Sequence, residues 1–137
     1  MHMPSFGIDS QAQLIVAHLD DFTPNGALPN FEGGQYGQRH EIWRSAVVNF
    51  IYEMHRAGLI EPFPGIESYE QLSSEDIKNS LIYGDRVNNI DVELLWDSMH
   101  FSGTELLGEI LRSCRLDSWD ALASDLSMEL KDRIDNL

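Results

Sequence analysis

The hydrophobic positions of the chain recur mostly with the period of an amphipathic helix. Between His40 and Gly58, apolar residues occupy the i, i+4, i+7, i+8 and i+11 positions, which places them on one continuous helix face. These residues are Trp43, Val47, Phe50, Ile51 and Met54. Gly58 and the prolines that follow it favour the end of this helix. The pattern therefore predicts a central core helix over residues 40–58.

Shorter stretches with the same period predict further helices on both sides of this segment. The first runs from Ser10, which forms a capping box with Gln13, to about Asp21. Others are predicted over 74–83, from about 90 to 99, from a capping box at 102–105 to 114, and from 118 onward. No stretch shows sustained alternation of apolar and polar residues. The predicted fold class is therefore all-α, a compact bundle of five or six helices with its topology open.

Two segments of the single predicted domain, residues 1–137, lie outside this helical pattern. Residues 23–39, TPNGALPNFEGGQYGQR, contain two prolines and four glycines, which predicts a long loop. Loops of this length are uncommon in compact domains and are often functional, so Phe31 and Tyr36 become candidate contact residues. Burial of the same rings in the core is equally compatible with the pattern. The sequence leaves open whether this loop and residues 1–8 are ordered.

The chain is strongly acidic. Its 23 Asp and Glu residues oppose nine Lys and Arg residues, which gives a net charge of −14, and residues 67–137 carry −10 of it. This charge opposes direct binding to nucleic acid or to an anionic membrane surface. It favours the electrostatic steering of a basic protein partner, although acidity that only keeps the protein soluble explains the same composition.

The first residues and the single cysteine bear on the compartment of the protein. Residues 1–13 lack a basic segment followed by an apolar run, so no secretory signal is predicted, and no apolar stretch has the length of a membrane span. Cys114 alone forms no internal disulfide, and its place on an apolar helix face predicts a core position rather than a nucleophile. We therefore expect a cytoplasmic protein that uses no cofactor, with its oligomeric state open.

One set of residues has the spacing of a candidate metal site. Glu93, Asp97 and His100 are four and three positions apart, so a continuous helix would present them on one face. Carboxylates and imidazole are ligands of divalent metals, but no H-E-x-x-H or E-x-x-H motif supplies further ligands. A solvated helix face explains the same residues. We therefore expect no catalytic residue and no metal, and keep metal binding by these three residues as an alternative.

The acidic residues after position 90 are the predicted binding surface. They fall on the exposed faces of successive predicted helices, which would form a broad negative surface if those helices pack as neighbours. The predicted partner contacts are Asp91, Glu93, Asp97, Glu105 and Glu109, with Phe31 and Tyr36 as aromatic anchors.

In overall character the chain resembles the immunity proteins of bacterial polymorphic and contact-dependent toxin systems. The residues that carry this resemblance are the predicted central helix, EIWRSAVVNFIYEMHRAGLIEPFP at 41–64, and the acidic helices from Asp91 onward. The resemblance implies a non-enzymatic inhibitor of a basic toxin domain, such as a nuclease, which presents carboxylates where phosphates would bind. The alternatives are a regulatory or adaptor module that binds a protein, and a metal-binding protein or enzyme built on the candidate metal residues.

Overall fold

The computed structural model describes residues 6–62 and 67–137, which form a mostly helical fold with a small sheet. The α-helices in this part of the chain are α1 Ile8–Leu19, α2 His40–Arg56, α3 Ser74–Tyr83, α4 Val92–Ser98, α5 Glu105–Ser113 and α6 Met128–Asp135. The strands are β1 Asp21–Phe22, β2 Ile60–Pro62 and β3 Phe101–Gly103. Single 3₁₀-helical turns cover Pro24–Gly26, Gly34–Tyr36, Glu67–Gln71 and Trp119–Ala123.

The sheet is the main departure from the predicted all-α class. Strand β3 lies at its centre and pairs antiparallel with β1 on one side and with β2 on the other. Each strand has only two or three residues, so no alternation of apolar and polar positions is visible in the sequence. The predicted capping box at Ser102 is wrong because this residue lies in β3. Thr104 caps α5 instead, and its side-chain oxygen accepts a hydrogen bond from the backbone N–H of Leu107.

The predicted central helix is confirmed as α2, which runs through the hydrophobic core. Its fully buried residues are those of the predicted apolar face, Trp43, Val47, Phe50, Ile51 and Met54. The Trp43 indole N–H donates a hydrogen bond of 2.9 Å to the Ala27 carbonyl oxygen. The Trp96 indole N–H donates likewise to Leu81 at 2.8 Å, and the two tryptophan rings lie 5.8 Å apart. The tryptophans therefore join α2 to α3, to α4 and to the segment before α2.

The glycine-rich segment 23–39 packs against the core although it contains neither an α-helix nor a strand. Ala27 and Leu28 are buried, and Leu28 adopts a positive φ of 49°. A Cβ atom at Gly37 would lie 2.1 Å from the Glu32 carbonyl oxygen, so this tight turn requires glycine. The segment differs from the predicted loop in having two 3₁₀-helical turns.

The C-terminal helix begins later than the sequence pattern predicts. The predicted start at Ser118 leads into a 3₁₀-helical turn, and α6 follows with Ser127 as its N-cap. The reason lies in α1, where the buried Gln11 side chain holds the intervening backbone. Its Nε2 donates to the Asp125 carbonyl oxygen at 3.0 Å, and its Oε1 accepts from the Ser127 N–H at 2.8 Å. These two hydrogen bonds fix an extended segment where the pattern predicts a continuous helix.

The structure describes the segments 1–8 and 41–64 only in part. Residues 1–5 of the segment 1–8, and residues 63–66, lie outside the described residues. Phe6 is buried, and α1 begins at Ile8 with Gly7 as its N-cap, so the predicted start at Ser10 is late. Within the described ranges, no helix is both long and apolar enough to cross a membrane.

Candidate partner-binding surface and cleft

The three predicted acidic contacts on and beside α4 all have partners inside the protein. Asp91 caps α4 by accepting a hydrogen bond of 3.1 Å from the Glu93 N–H. The Glu93 Oε1 lies 3.2 Å from the Arg44 Nη2. The Asp97 carboxylate accepts a hydrogen bond from the Asn25 side chain. These carboxylates are exposed, but each already contributes to the fold.

Arg44 joins α2 to α4 through its ring contact as well as its ion pair. Its guanidinium carbon lies 3.9 Å from the centroid of the Trp96 ring, within the range of a cation–π interaction. Glu93 pairs with the same guanidinium from the outside, and its side chain is 71% exposed. We call Arg44, Glu93 and Trp96 the α2–α4 seam. The charge of Glu93 is thus balanced within the seam.

Glu105 and Glu109 on α5 are exposed and have no basic side chain within ion-pair distance in the described part of the chain. Helix α5 packs mainly on α1, β3 and α6, whereas α4 packs mainly on α3 and on the turn Pro24–Gly26. The five predicted acidic contacts therefore belong to two differently packed helices. Helices α4 and α5 are not main packing partners of each other in the described part of the chain.

The two predicted aromatic anchors differ in exposure. Phe31 is partly buried and packs against the core. Tyr36 is 90% exposed. The structure also exposes apolar side chains that the sequence analysis did not single out, among them Val87 at 92% and Leu94. Tyr36 therefore remains accessible to a partner, whereas the packing of Phe31 makes it mainly a structural residue.

The candidate metal residues Glu93, Asp97 and His100 do not come together. Helix α4 ends at Ser98, so His100 lies beyond the helix and not on its face. Its Nδ1 lies 2.8 Å from the Asp21 Oδ2. Across the described ranges, no group of three His, Cys, Asp or Glu side chains is arranged to hold a metal ion. The predicted shared helix face is wrong because the helix ends before it reaches His100.

A cleft of about 520 Å³ opens beside the Asp21–His100 pair. Parts of α1, β1, the 23–39 segment and the turn Trp119–Ala123 form its walls. No Lys or Arg is among its lining residues in the described part of the chain. We call it the α1 cleft, and its lining includes Asp9, Gln13, Val16, Asp21, His100 and Leu122.

Gln13 is the buried polar residue of the α1 cleft, with 4% of its surface exposed. Its Oε1 accepts a hydrogen bond of 2.8 Å from the Leu28 N–H. Its Nε2 donates to no described residue. This nitrogen is not completely enclosed by the protein and keeps some accessible surface. Because Gln13 lines the cleft, we infer that this amide nitrogen is open to it. Water satisfies a donor that is open to a cleft, and an acceptor on a bound ligand can replace that water.

Asp85 is a buried acid away from the cleft, with 6% of its surface exposed. Its carboxylate accepts hydrogen bonds from the Tyr69 hydroxyl at 2.7 Å, the Asn88 N–H at 3.0 Å and the Asn88 side chain at 2.7 Å. Burial acts to raise the pKa of Asp85, but the hydrogen bonds from Asn88 and Tyr69 outweigh it and hold that pKa below its usual value. Burial and the hydrogen bond to Asp85 raise the pKa of Tyr69 well above its usual value. This ionised carboxylate stabilises the turn 84–91.

Cys114 lies at the C-terminal end of α5 and is partly buried, so the predicted core position holds only in part. Burial raises the pKa of its thiol above the usual value. A nucleophilic cysteine requires the opposite shift. The surroundings of Cys114 therefore favour a structural role.

Comparison with known proteins supplies no relative from which a function could be transferred. No family model, no curated protein and no solved structure matches the chain. Its function must therefore be argued from its own residues.

Proposed function

We propose that the protein is a protein-binding inhibitor, an immunity protein that neutralises a basic toxin domain such as a nuclease. The observation that carries this proposal is the excess of exposed carboxylates without a cationic partner. In the described ranges, ion pairs within 4 Å involve only Glu32, Glu93, Asp21 and Asp135 among the acids. Most other described acidic side chains are exposed, and the chain as a whole has a net charge of −14. Such a surface attracts a basic protein over long distances.

Glu105 and Glu109 are the best-placed of the five predicted acidic contacts to meet a basic partner. Both are exposed, and neither has an ion pair among the described residues. A partner can bind them without breaking an internal ion pair, which is not true of Glu93. A domain that cleaves nucleic acid presents cations to hold phosphates, so carboxylates brought to the same cations would block its substrate.

The test measures how fast the partner associates, after it is captured from a lysate of the source cells at low salt and purified. The double variant Glu105→Gln and Glu109→Gln should associate several-fold more slowly than the native chain, with a weaker dependence on salt. The matched control is Glu61→Gln with Glu70→Gln, which removes the same charge from other exposed positions. Stopped-flow fluorescence over a range of salt concentrations gives both rates.

An activity assay separates inhibition from mere binding. Equimolar native chain should abolish the activity of the captured partner. A partner that stays fully active when bound would instead favour the regulatory or adaptor alternative. Equal slowing by the two double variants would show that only the total charge matters, and would remove α5 from the proposed surface.

A further inference from the structure

We propose that the α1 cleft binds one arginine or lysine residue of a protein, receiving its cationic side chain and its backbone carbonyl oxygen together. This inference rests on the proposed function, because the residue would belong to the basic partner. It deepens that function by assigning a specific recognition site that contains none of the predicted partner contacts.

The charges that line the cleft select a cation. Asp9 and Asp21 both line it, and no Lys or Arg does so in the described ranges. Asp21 is paired with His100 at 2.8 Å, whereas Asp9 has no ion pair among the described residues. An anion would face two carboxylates here. A guanidinium or ammonium group would gain charge-assisted hydrogen bonds.

Gln13 selects a hydrogen-bond acceptor beside that cation. Its oxygen is taken by the Leu28 N–H, so the side chain cannot turn to offer it without losing that bond. Its Nε2 lacks an acceptor among the described residues, and the residue is 4% exposed. Arginine and lysine side chains contain donors but no acceptor, so the cation alone cannot satisfy this nitrogen. The backbone carbonyl of the same residue can.

The walls and the size of the cleft suit the hydrocarbon part of such a residue. Val16 and Leu122 line it from opposite ends of the sequence, and its volume is about 520 Å³. Small-molecule sites are typically about 300–1,000 Å³, so this cleft has room for a whole amino-acid residue. The methylene chain of arginine or lysine packs on apolar surface while its charged end stays in a polar environment. The site therefore matches this kind of residue in charge, in hydrogen-bond acceptor and in its apolar lining.

The cleft is preformed, which favours binding. The two hydrogen bonds of Gln11 hold the backbone at Asp125 and Ser127, directly after the turn that carries Leu122. The Gln13–Leu28 hydrogen bond holds the opposite wall in the 23–39 segment. A ligand thus meets walls that need little ordering, so less binding free energy is lost than in a flexible site.

The experiment is an NMR titration of the ¹⁵N-labelled protein with Nα-acetyl-arginine N-methylamide. This probe contains the guanidinium group and the flanking peptide groups. The side-chain amide signals of Gln13 and the backbone signals of Ala12 and Val16 should shift in a saturable way. Nα-acetyl-citrulline N-methylamide, which is neutral and almost the same shape, should leave them unshifted. Equal shifts from both probes, or shifts spread over all exposed carboxylates, would overturn the proposal.

Two single variants of matched chemistry assign the binding to the cleft. Asp9→Asn should weaken binding of the arginine probe by about tenfold, since it removes one hydrogen bond to a charged group. Asp117→Asn makes the same change at an exposed position outside the cleft and should leave the affinity unchanged. Gln13→Met, checked for folding by circular dichroism, should also weaken binding. Equal affinities of the Asp9 and Asp117 variants would contradict the proposal even if the Gln13 variant does not fold.

The outcomes separate this inference from the proposed function. If the arginine probe binds in the cleft but no basic partner is inhibited, the proposed inhibitor function is wrong and the proposed binding site is supported. In the opposite outcome, the probe does not bind, and the native chain and Asp9→Asn inhibit the partner equally. The cleft is then excluded as the recognition site, and the inhibitor function is supported.

Discussion

The α2–α4 seam and the α1 cleft both present carboxylates at the surface, but only the seam contains an arginine or lysine to pair with them. Glu93 has the Arg44 guanidinium at 3.2 Å, and that guanidinium rests on the Trp96 ring. In the cleft, Asp21 has only the His100 imidazole, and Asp9 has no ion pair among the described residues. Exposure alone therefore does not distinguish a structural acid from one available to a partner, whereas the presence of an internal counter-charge does.

The same contrast extends to the buried groups beneath each region. Under the seam, the Trp96 indole N–H is paired with the Leu81 carbonyl oxygen. In the cleft, the buried Gln13 leaves its Nε2 without an acceptor in the described part of the chain. Substitutions in the seam should therefore change stability, and substitutions in the cleft should change binding.

The largest effect is expected from Trp96→Ala in the seam. The side chain is fully buried, so its removal should lower the free energy of unfolding by about 3–5 kcal/mol. Urea unfolding followed by circular dichroism measures this change. The control is Trp119→Ala, since Trp119 is exposed and a surface substitution should change stability by only about 0.5 kcal/mol. Similar losses of unfolding free energy in both variants would contradict the stabilising role proposed for the seam.

A smaller effect on the free energy of unfolding is expected from Asp85→Asn, and this effect should depend on pH. Asp85 is an acid whose hydrogen-bond donors are neutral groups. Because hydrogen bonds hold its pKa in the folded state below the unfolded value, the ionised carboxylate stabilises the fold at pH values above the unfolded pKa. That stabilisation is lost as the pH falls through the unfolded and then the folded pKa. Asp85→Asn should therefore be less stable near neutral pH, and should lose less stability than the native chain on acidification.

Unfolding curves in urea at several pH values between neutral and strongly acidic test this prediction. Asn88→Ala, which removes the side-chain hydrogen-bond donor to Asp85 and keeps the backbone N–H, should flatten the pH dependence in the same direction but by less. Parallel pH profiles for the native chain and both variants would contradict the role assigned to Asp85.

The smallest effects should come from the carboxylates themselves. Glu93→Gln breaks an exposed ion pair and should cost about 0.2–1 kcal/mol of stability, mainly at low salt. Asp9→Asn should change stability by no more than about 0.5 kcal/mol, because Asp9 has no ion pair among the described residues. Thermal unfolding of both variants at low and high salt makes the comparison. A larger loss at Asp9 than at Glu93 would make Asp9 a structural residue and weaken the case for the cleft.

Sequence periodicity predicted the helices that bury a continuous apolar face. Helix α2 and helix α3, Ser74–Tyr83, follow it because local spacing alone decides which side of a helix meets the core. The strands did not appear in the pattern because each is two or three residues long. The late start of α6 also escaped prediction, since it depends on hydrogen bonds from Gln11 in a distant helix.

The candidate site was less predictable than the fold because its properties depend on distant residues. The sequence identified Glu93 as exposed and acidic, but not that Arg44 balances its charge. It grouped His100 with α4, whereas the folded chain pairs this residue with Asp21, 79 positions away. The sequence identified Gln13 only as part of a capping box, because its open amide donor becomes apparent only once the partner of its oxygen is known.

The two hydrogen bonds of Gln11 have a consequence for the synthesis of the protein. They join α1 to backbone groups 114 and 116 positions later in the chain. Because a ribosome releases the chain from its N-terminal end, α1 emerges long before these groups exist. The wall of the cleft that contains Leu122 is therefore completed only after the chain has been synthesised past Ser127. A nascent chain lacks the complete arginine or lysine site, so its recognition of a basic partner has to wait for late steps of folding.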